Sequence, residues 1–152
     1  MTGVDGRGLV WRMRTVPVLL AVPAALLIAA PVAAAQPPAP SADQLTGQLQ
    51  RALDTSLSDQ TRAAELEGGL AAVPTANNIA GVMDRYSSMM SWRVQNPVLD
   101  GDRVNAQLAV SIPVLGTRTH DIYWIDQGGS WKLSNASGCV IARDAAGTEC
   151  TV

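Results

Sequence analysis

The chain has 152 residues with 11 Lys+Arg against 13 Asp+Glu, one domain's worth of sequence that leaves an ordinary small core even after loss of a targeting segment. Beyond the first 35 residues the balance becomes 8 against 12, and the basic residues are scattered from Arg51 to Arg143. That excludes the concentrated basic surface a phosphate-backbone binder needs, so no nucleic-acid partner is expected.

Arg7, Arg12 and Arg14 precede a run without charge, Val16 to Ala30, and Ala33-Ala34-Ala35 then meets the small-x-small cleavage rule. The pattern predicts a secretory signal peptide over residues 1–35 and a secreted, extracellular or envelope location. The alternative is an uncleaved N-terminal membrane anchor, since Val16 to Ala35 is about as long as a bilayer span of roughly 20 residues. Either way the membrane is engaged only through this segment. Gln36 to Pro40 reads as a Pro-rich extended linker, and residues 41–152 as a single α+β domain.

Ser41-Ala42-Asp43-Gln44 fits a capping box. Leu45, Leu49 and Leu53 then make one apolar face of a helix ending near Asp54. Ser58-Asp59-Gln60 opens a second, short helix through Ala63, Ala64 and Leu66, which Gly68-Gly69 ends. Pro74 fits the first turn of a third helix, on which Ile79, Val82, Met83, Tyr86 and Met90 fall at helical spacing.

The sheet half follows. Ser91 to Asn96 alternates, with Trp92 and Val94 on one face, and Pro97 closes the segment. Val104, Ala106, Leu108, Val110 and Ile112 form the cleanest strand, ended by Pro113. Thr117 to Ser134 reads as a hairpin about Gly128-Gly129. In its first strand Ile122 and Trp124 point one way and Tyr123 and Ile125 the other, so both faces are apolar. The strands should pair antiparallel as a meander of about four. One face packs on the helices. The other is expected under the C-terminal tail, at an oligomer contact or as an exposed patch. Cys139 and Cys150 lie in the export-bound part, and with ten residues between them they are expected to form a structural disulfide tying down a short C-terminal tail.

The residues offer little chemistry. His120 and Asp121 fall on opposite faces of one strand and cannot converge on one atom. Asp84 and Tyr86 are two apart on a helix and diverge; Asp126 sits where turns favour Asp. No phosphate loop, metal cluster, cofactor motif or nucleophile–base set is visible, and a non-enzyme is expected. Met83, Tyr86, Trp92, Trp124 and Ile122 are candidates to line a small-molecule pocket between the third helix and the sheet, though the plain alternative for that face is core. Tyr123 and Ile125 are the candidates for contact with another protein. Expected partners are thus an unidentified protein or a small apolar ligand, with the chain a monomer or weak homodimer. The leading reading is a secreted, non-enzymatic envelope or culture-filtrate protein whose fold offers a surface or small pocket for binding; the alternatives are an apolar-ligand carrier and an isomerase- or dehydratase-like pocket enzyme.

Several strings, taken in order, resemble the mycobacterial low-molecular-weight secreted antigen family of exported actinobacterial proteins: Ser41-Ala42-Asp43-Gln44-Leu45-Thr46, Leu66-Glu67-Gly68-Gly69, Asp126 to Ser134, and Asn135-Ala136-Ser137-Gly138-Cys139. The resemblance covers roughly Ser41 to Cys150. It implies a cone-shaped α+β fold like that of nuclear transport factor and the ketosteroid isomerases, with helices packed into a curved antiparallel sheet. It also implies export, immune recognition in pathogenic relatives and no established enzymatic activity. The chain departs from the family at Arg62, near a position where Lys is expected, and in a tail with two cysteines.

Overall fold

The structure, a computed structural model, describes residues 36–152; the predicted signal segment and its cleavage site lie outside the described residues. The chain is α+β. Helices α1 (Ala42–Leu53), α2 (Asp59–Ala63) and α3 (Val73–Arg85) precede an antiparallel sheet of β1 (Ser91–Asp100), β2 (Arg103–Ile112), β3 (Gly116–Asp126) and β4 (Trp131–Leu133), in spatial order β1-β2-β3-β4. A short helix α4 (Asn135–Val140) and one π turn (Ile141–Ala145) follow.

The capping box at Ser41 is present: its hydroxyl accepts from the Gln44 N–H at 3.2 Å, and its own N–H donates to Gln44 Oε1 at 2.8 Å. Leu45 and Leu49 are buried on the inner face of α1. Helix α3 begins as expected, with Pro74 in its first turn, but ends at Arg85 instead of reaching Met90. Tyr86 occupies the cap position, and the Ser87 hydroxyl donates to the Asp84 carbonyl, giving the chain a local alternative to another helical turn.

Two expected boundaries differ. Helix α2 stops at Ala63, three residues before Leu66, because Glu65–Glu67 is drawn against β4. The Leu133 N–H donates to the Glu65 carbonyl at 2.9 Å and the Glu67 N–H to the Leu133 carbonyl at 3.0 Å, a parallel bridge that occupies the edge of β4. Nor does Pro97 end β1. Asn96 and Pro97 together face Ala106 in a bulge, and pairing resumes at Val98. An edge strand tolerates a residue without an N–H there, and Asn96, at φ 54°, is among the few side chains that accept the left-handed conformation.

The other edge of the sheet is β1, and α1 lies along it. The Val94 N–H donates to Thr46 Oγ1 at 3.0 Å, so a helix side chain satisfies a ladder group that would otherwise face water. Val94, Val104, Leu108, Ile122 and Trp124 form the sheet's share of the core, packed against Leu45, Leu49, Ile79 and Met83. The C-terminal segment joins that core through Ile141 and Ala142. Its end is clasped to α3, where Thr75 Oγ1 accepts from the Thr151 N–H at 3.0 Å and donates to its carbonyl at 3.2 Å. Cys139 and Cys150 are disulfide-bonded with Cα atoms 5.1 Å apart, as the sequence predicts.

Gly68 is fixed by its neighbour across the β4 junction. A Cβ there would lie 2.7 Å from Asn135 Oδ1 and 3.1 Å from the Ala72 Cβ, while the Asn135 backbone N–H is held by Glu67 Oε2 at 2.7 Å. Gly68→Ala is therefore expected to cost about 1–2 kcal/mol, in the range for forcing a group into a packed site. A urea-denaturation midpoint equal to that of the parent protein would refute it.

Candidate functional site

The space between α3 and the sheet is filled. Trp124 and Ile122, both expected as pocket lining, are buried in the core, and what remains among Leu49, Leu66, Ile79, Leu133 and Val152 is a cavity of about 20 Å³, room for about one water molecule. Tyr86 is exposed at the end of α3. Of the five expected lining residues, Met83, Ile122 and Trp124 pack together as core, and only Met83 and Trp92 line a common open cleft, at the periphery.

They share an open cleft of about 530 Å³ where the C-terminal ends of α1 and α3 meet the start of β1, within the usual size of small-molecule sites. Met83, Met90, Leu53 and Trp92 supply its apolar surface. Asp54 and Asp84 supply two carboxylates, and none of its lining residues is Lys or Arg. Each acidic group is there for a local reason. Asp54 is the C-cap of α1 and folds an Asx turn over the next residues, accepting from the Ser56 hydroxyl at 2.6 Å and the Ser56 N–H at 2.9 Å. Those two bonds, with a smaller contribution from the Arg62 charge, hold its carboxyl below the ordinary range, so it stays ionised through mildly acidic pH. Asp84 lies in the last turn of α3.

This arrangement can hold a ligand with an apolar body and a positive group. No His, Cys or Lys lines the cleft. His120 lies across β3 from Asp121: it pairs with Leu108 on the core-facing side, while Asp121 pairs with Gln107 and accepts from its side-chain amide. Asp126 accepts from the Gly129 N–H at 2.9 Å in the hairpin turn. Tyr123 and Ile125 are half-buried on the outer face, with the Arg103 guanidinium 4.6 Å above the Tyr123 ring. Sequence reading missed Asp54 and the cleft. The Asp54-Thr55-Ser56 string after a helix was the available signal for the turn, but nothing local signals that three separate segments converge there.

Residues 38–150 match the family described as "Low molecular weight antigen MTB12, C-terminal domain". No curated protein and no solved structure matches the chain.

Proposed function

We propose, from the premise that the chain belongs to the MTB12 low-molecular-weight antigen family, that it is an exported, non-enzymatic binding protein of the cell envelope or culture filtrate. Its ligand site is the cleft between α1, α3 and β1. Export is supported by the charged, apolar and Ala-rich order of residues 1–35 and by a disulfide in the domain that follows. The observation that carries the binding reading is the contrast between a packed interior and an open cleft with an apolar surface and two carboxylates. The ligand class is a small organic cation, or a peptide side chain, whose apolar part rests on Trp92 and Met83 and whose charge faces Asp54 and Asp84. An apolar carrier using the interior would have to expel core side chains to make room.

Titrating the 36–152 protein with benzyltrimethylammonium, and separately with its neutral and carboxylate analogues, tests the site by heteronuclear NMR. Shifts are expected at the Trp92 indole, Met83 and Ser87 with the cation. The double variant Asp54→Asn, Asp84→Asn should weaken binding about tenfold, roughly 1.4 kcal/mol. Equal response to the neutral analogue, or no response at millimolar concentration, would sink the cleft as the site. Mass spectrometry of the culture filtrate tests export: a polypeptide beginning at Gln36 is expected, and finding only full-length chain with the cells would overturn it.

A further inference from the structure

The first half of β3 has an open side that no other element of the described chain uses. Its even-numbered residues pair into β2, as the Asp126 N–H donating to the Asp102 carbonyl shows, so its odd-numbered residues direct N–H and C=O away from β2. At Ile125 that side meets β4. At Tyr123 it is closed by α4: the Tyr123 N–H donates to Ser137 Oγ at 2.7 Å, and the Tyr123 carbonyl accepts from the Ser134 N–H and the Ser137 hydroxyl, both at 3.1 Å. Before that, Thr117, Thr119 and Asp121 have no backbone partner on this side among the described residues, and all three are exposed. Elsewhere β4 is covered by Glu65–Glu67, and β1 is met by Thr46 at Val94 and interrupted by the Asn96-Pro97 bulge; Thr117–Asp121 has neither device among the described residues.

The turn that leads into this edge is unusual. Ile112-Pro113-Val114-Leu115 closes with the Leu115 N–H donating to the Ile112 carbonyl, and its third position carries Val114 at φ 73°. Glycine or asparagine belongs at that position of such a turn, and a β-branched residue there is strained by about 1–3 kcal/mol. Val114 is fully exposed, and Leu115 is 76 % exposed. A turn serving only to reverse the chain would gain from Gly at 114, and the apolar side chain stands there at a local cost.

We propose that the open edge of β3, Thr117–Asp121, pairs antiparallel with the same edge of a second copy of the chain about a two-fold axis at Thr119. The edge is self-complementary in that register. Thr117 of each copy faces Asp121 of the other: the Thr117 hydroxyl, accepting from Ser111 Oγ at 2.7 Å, keeps its proton for the Asp121 carboxylate, of which one oxygen is taken by the Gln107 amide, and Thr119 faces Thr119, a favourable cross-strand pair. The pairing is bounded at both ends, by the Gly116 bend and by α4, and it therefore has one length. It also carries the Pro113–Leu115 tip of each copy past Tyr123 of the other and over α4, where Ala136 is exposed and Val140 half-exposed. The strained apolar tip acquires a partner only in the dimer. The contact is isologous and closes on itself, so it does not propagate into filaments.

Sedimentation of the 36–152 protein from about 1 μM to about 1 mM is expected to show a monomer–dimer equilibrium. Thr119→Pro removes the outward N–H without taking a bond from the β2 ladder, because this residue's hydrogen-bonding groups do not enter it; its ring also restricts φ, so the unchanged dichroism is the control for the fold. Thr119→Lys places two like charges opposite each other. Each should raise the dimer dissociation constant at least tenfold while the far-ultraviolet dichroism is unchanged. Thr119→Cys should cross-link to its symmetry mate on oxidation, since directly opposed, hydrogen-bonded residues lie about 5.5 Å apart. Thr117→Cys, offset by four residues from its own mate, should not. A wild-type monomer at 1 mM overturns the proposal, as does unchanged association of both Thr119 variants, or equal cross-linking from positions 117 and 119.

Discussion

Replacing Arg62 by Ala is expected to lower the unfolding free energy of the 36–152 protein by about 3–5 kcal/mol, the range for leaving a buried charged network without one member. Arg62 is 2 % exposed, and its guanidinium joins three helices. Nε donates to the Ala52 carbonyl at the end of α1 at 3.0 Å, and Nη1 donates to Asn77 Oδ1 on α3 at 2.6 Å, with Arg62 itself on α2. Asp59 lies 3.6 Å away but is exposed, and a solvated carboxylate contributes little. Truncation strands the buried Ala52 carbonyl and leaves a cavity, and each adds to the loss, whereas Asn77 is exposed and can turn to water. With a urea dependence of about 1–1.5 kcal/mol per molar, the midpoint should fall by roughly 3 M. Arg62→Lys should recover only part of this, because an ammonium lacks the planar fork that meets both acceptors at once. A loss below about 1 kcal/mol for the Ala variant would mean that water replaces the guanidinium and that the three helices do not depend on it.

Removing the disulfide, by Cys139→Ser with Cys150→Ser, should cost about 3 kcal/mol by loop-closure reasoning for a sequence separation of 11. The structure says where the loss falls. Between the two cysteines run Ile141 and Ala142, both fully buried, and just beyond Cys150 comes the Thr151 clasp on Thr75. Freed of the bond, the tail should open before the sheet does. Hydrogen exchange is the measurement: the Thr151 amide and the α4 amides should lose protection first, with β2 retaining protection set by global unfolding. Uniform loss of protection across the domain, or a denaturation midpoint unchanged by the substitutions, would contradict this.

Much of the fold was legible because its signals are local. The Ser41 box, the Leu45–Leu49 spacing, Pro74 in the first turn of a helix, the alternation from Val104 to Val110 and the Gly128-Gly129 turn each read from a few neighbouring residues, and each holds in the structure. What escaped was set by contacts between distant segments. Leu66 leaves the helix for a bridge because Leu133 lies beside it, and α4 exists partly because Ser137 closes the edge of β3. The ligand cleft escaped for the same reason, since α1, α3 and β1 each contribute residues that look ordinary alone. The strings that carry the family resemblance are devices of the fold. Ser41 and Gln44 cap a helix, Glu67 and Gly68 dock on Asn135, and Asp126 holds the hairpin turn. Family membership thus informs the architecture more than the cleft, whose Asp54, Asp84 and Trp92 lie outside those strings.

The order of the sheet also bears on how the domain is built. Each strand pairs with its sequence neighbour, so β1 to β4 can zip up through short loops with little entropic delay. The contacts of α1 are another matter: Thr46 reaches Val94 across 48 residues, and the Gln48 side-chain amide donates to the Trp131 carbonyl across 83. A ribosome delivers the N-terminal end first, so α1 must wait with Leu45 and Leu49 uncovered until β1 and β4 have emerged. During that interval its apolar stripe is the segment most in need of a chaperone. Mutations that slow completion of the hairpin would lengthen that exposure, lowering the yield of folded protein without altering its final stability.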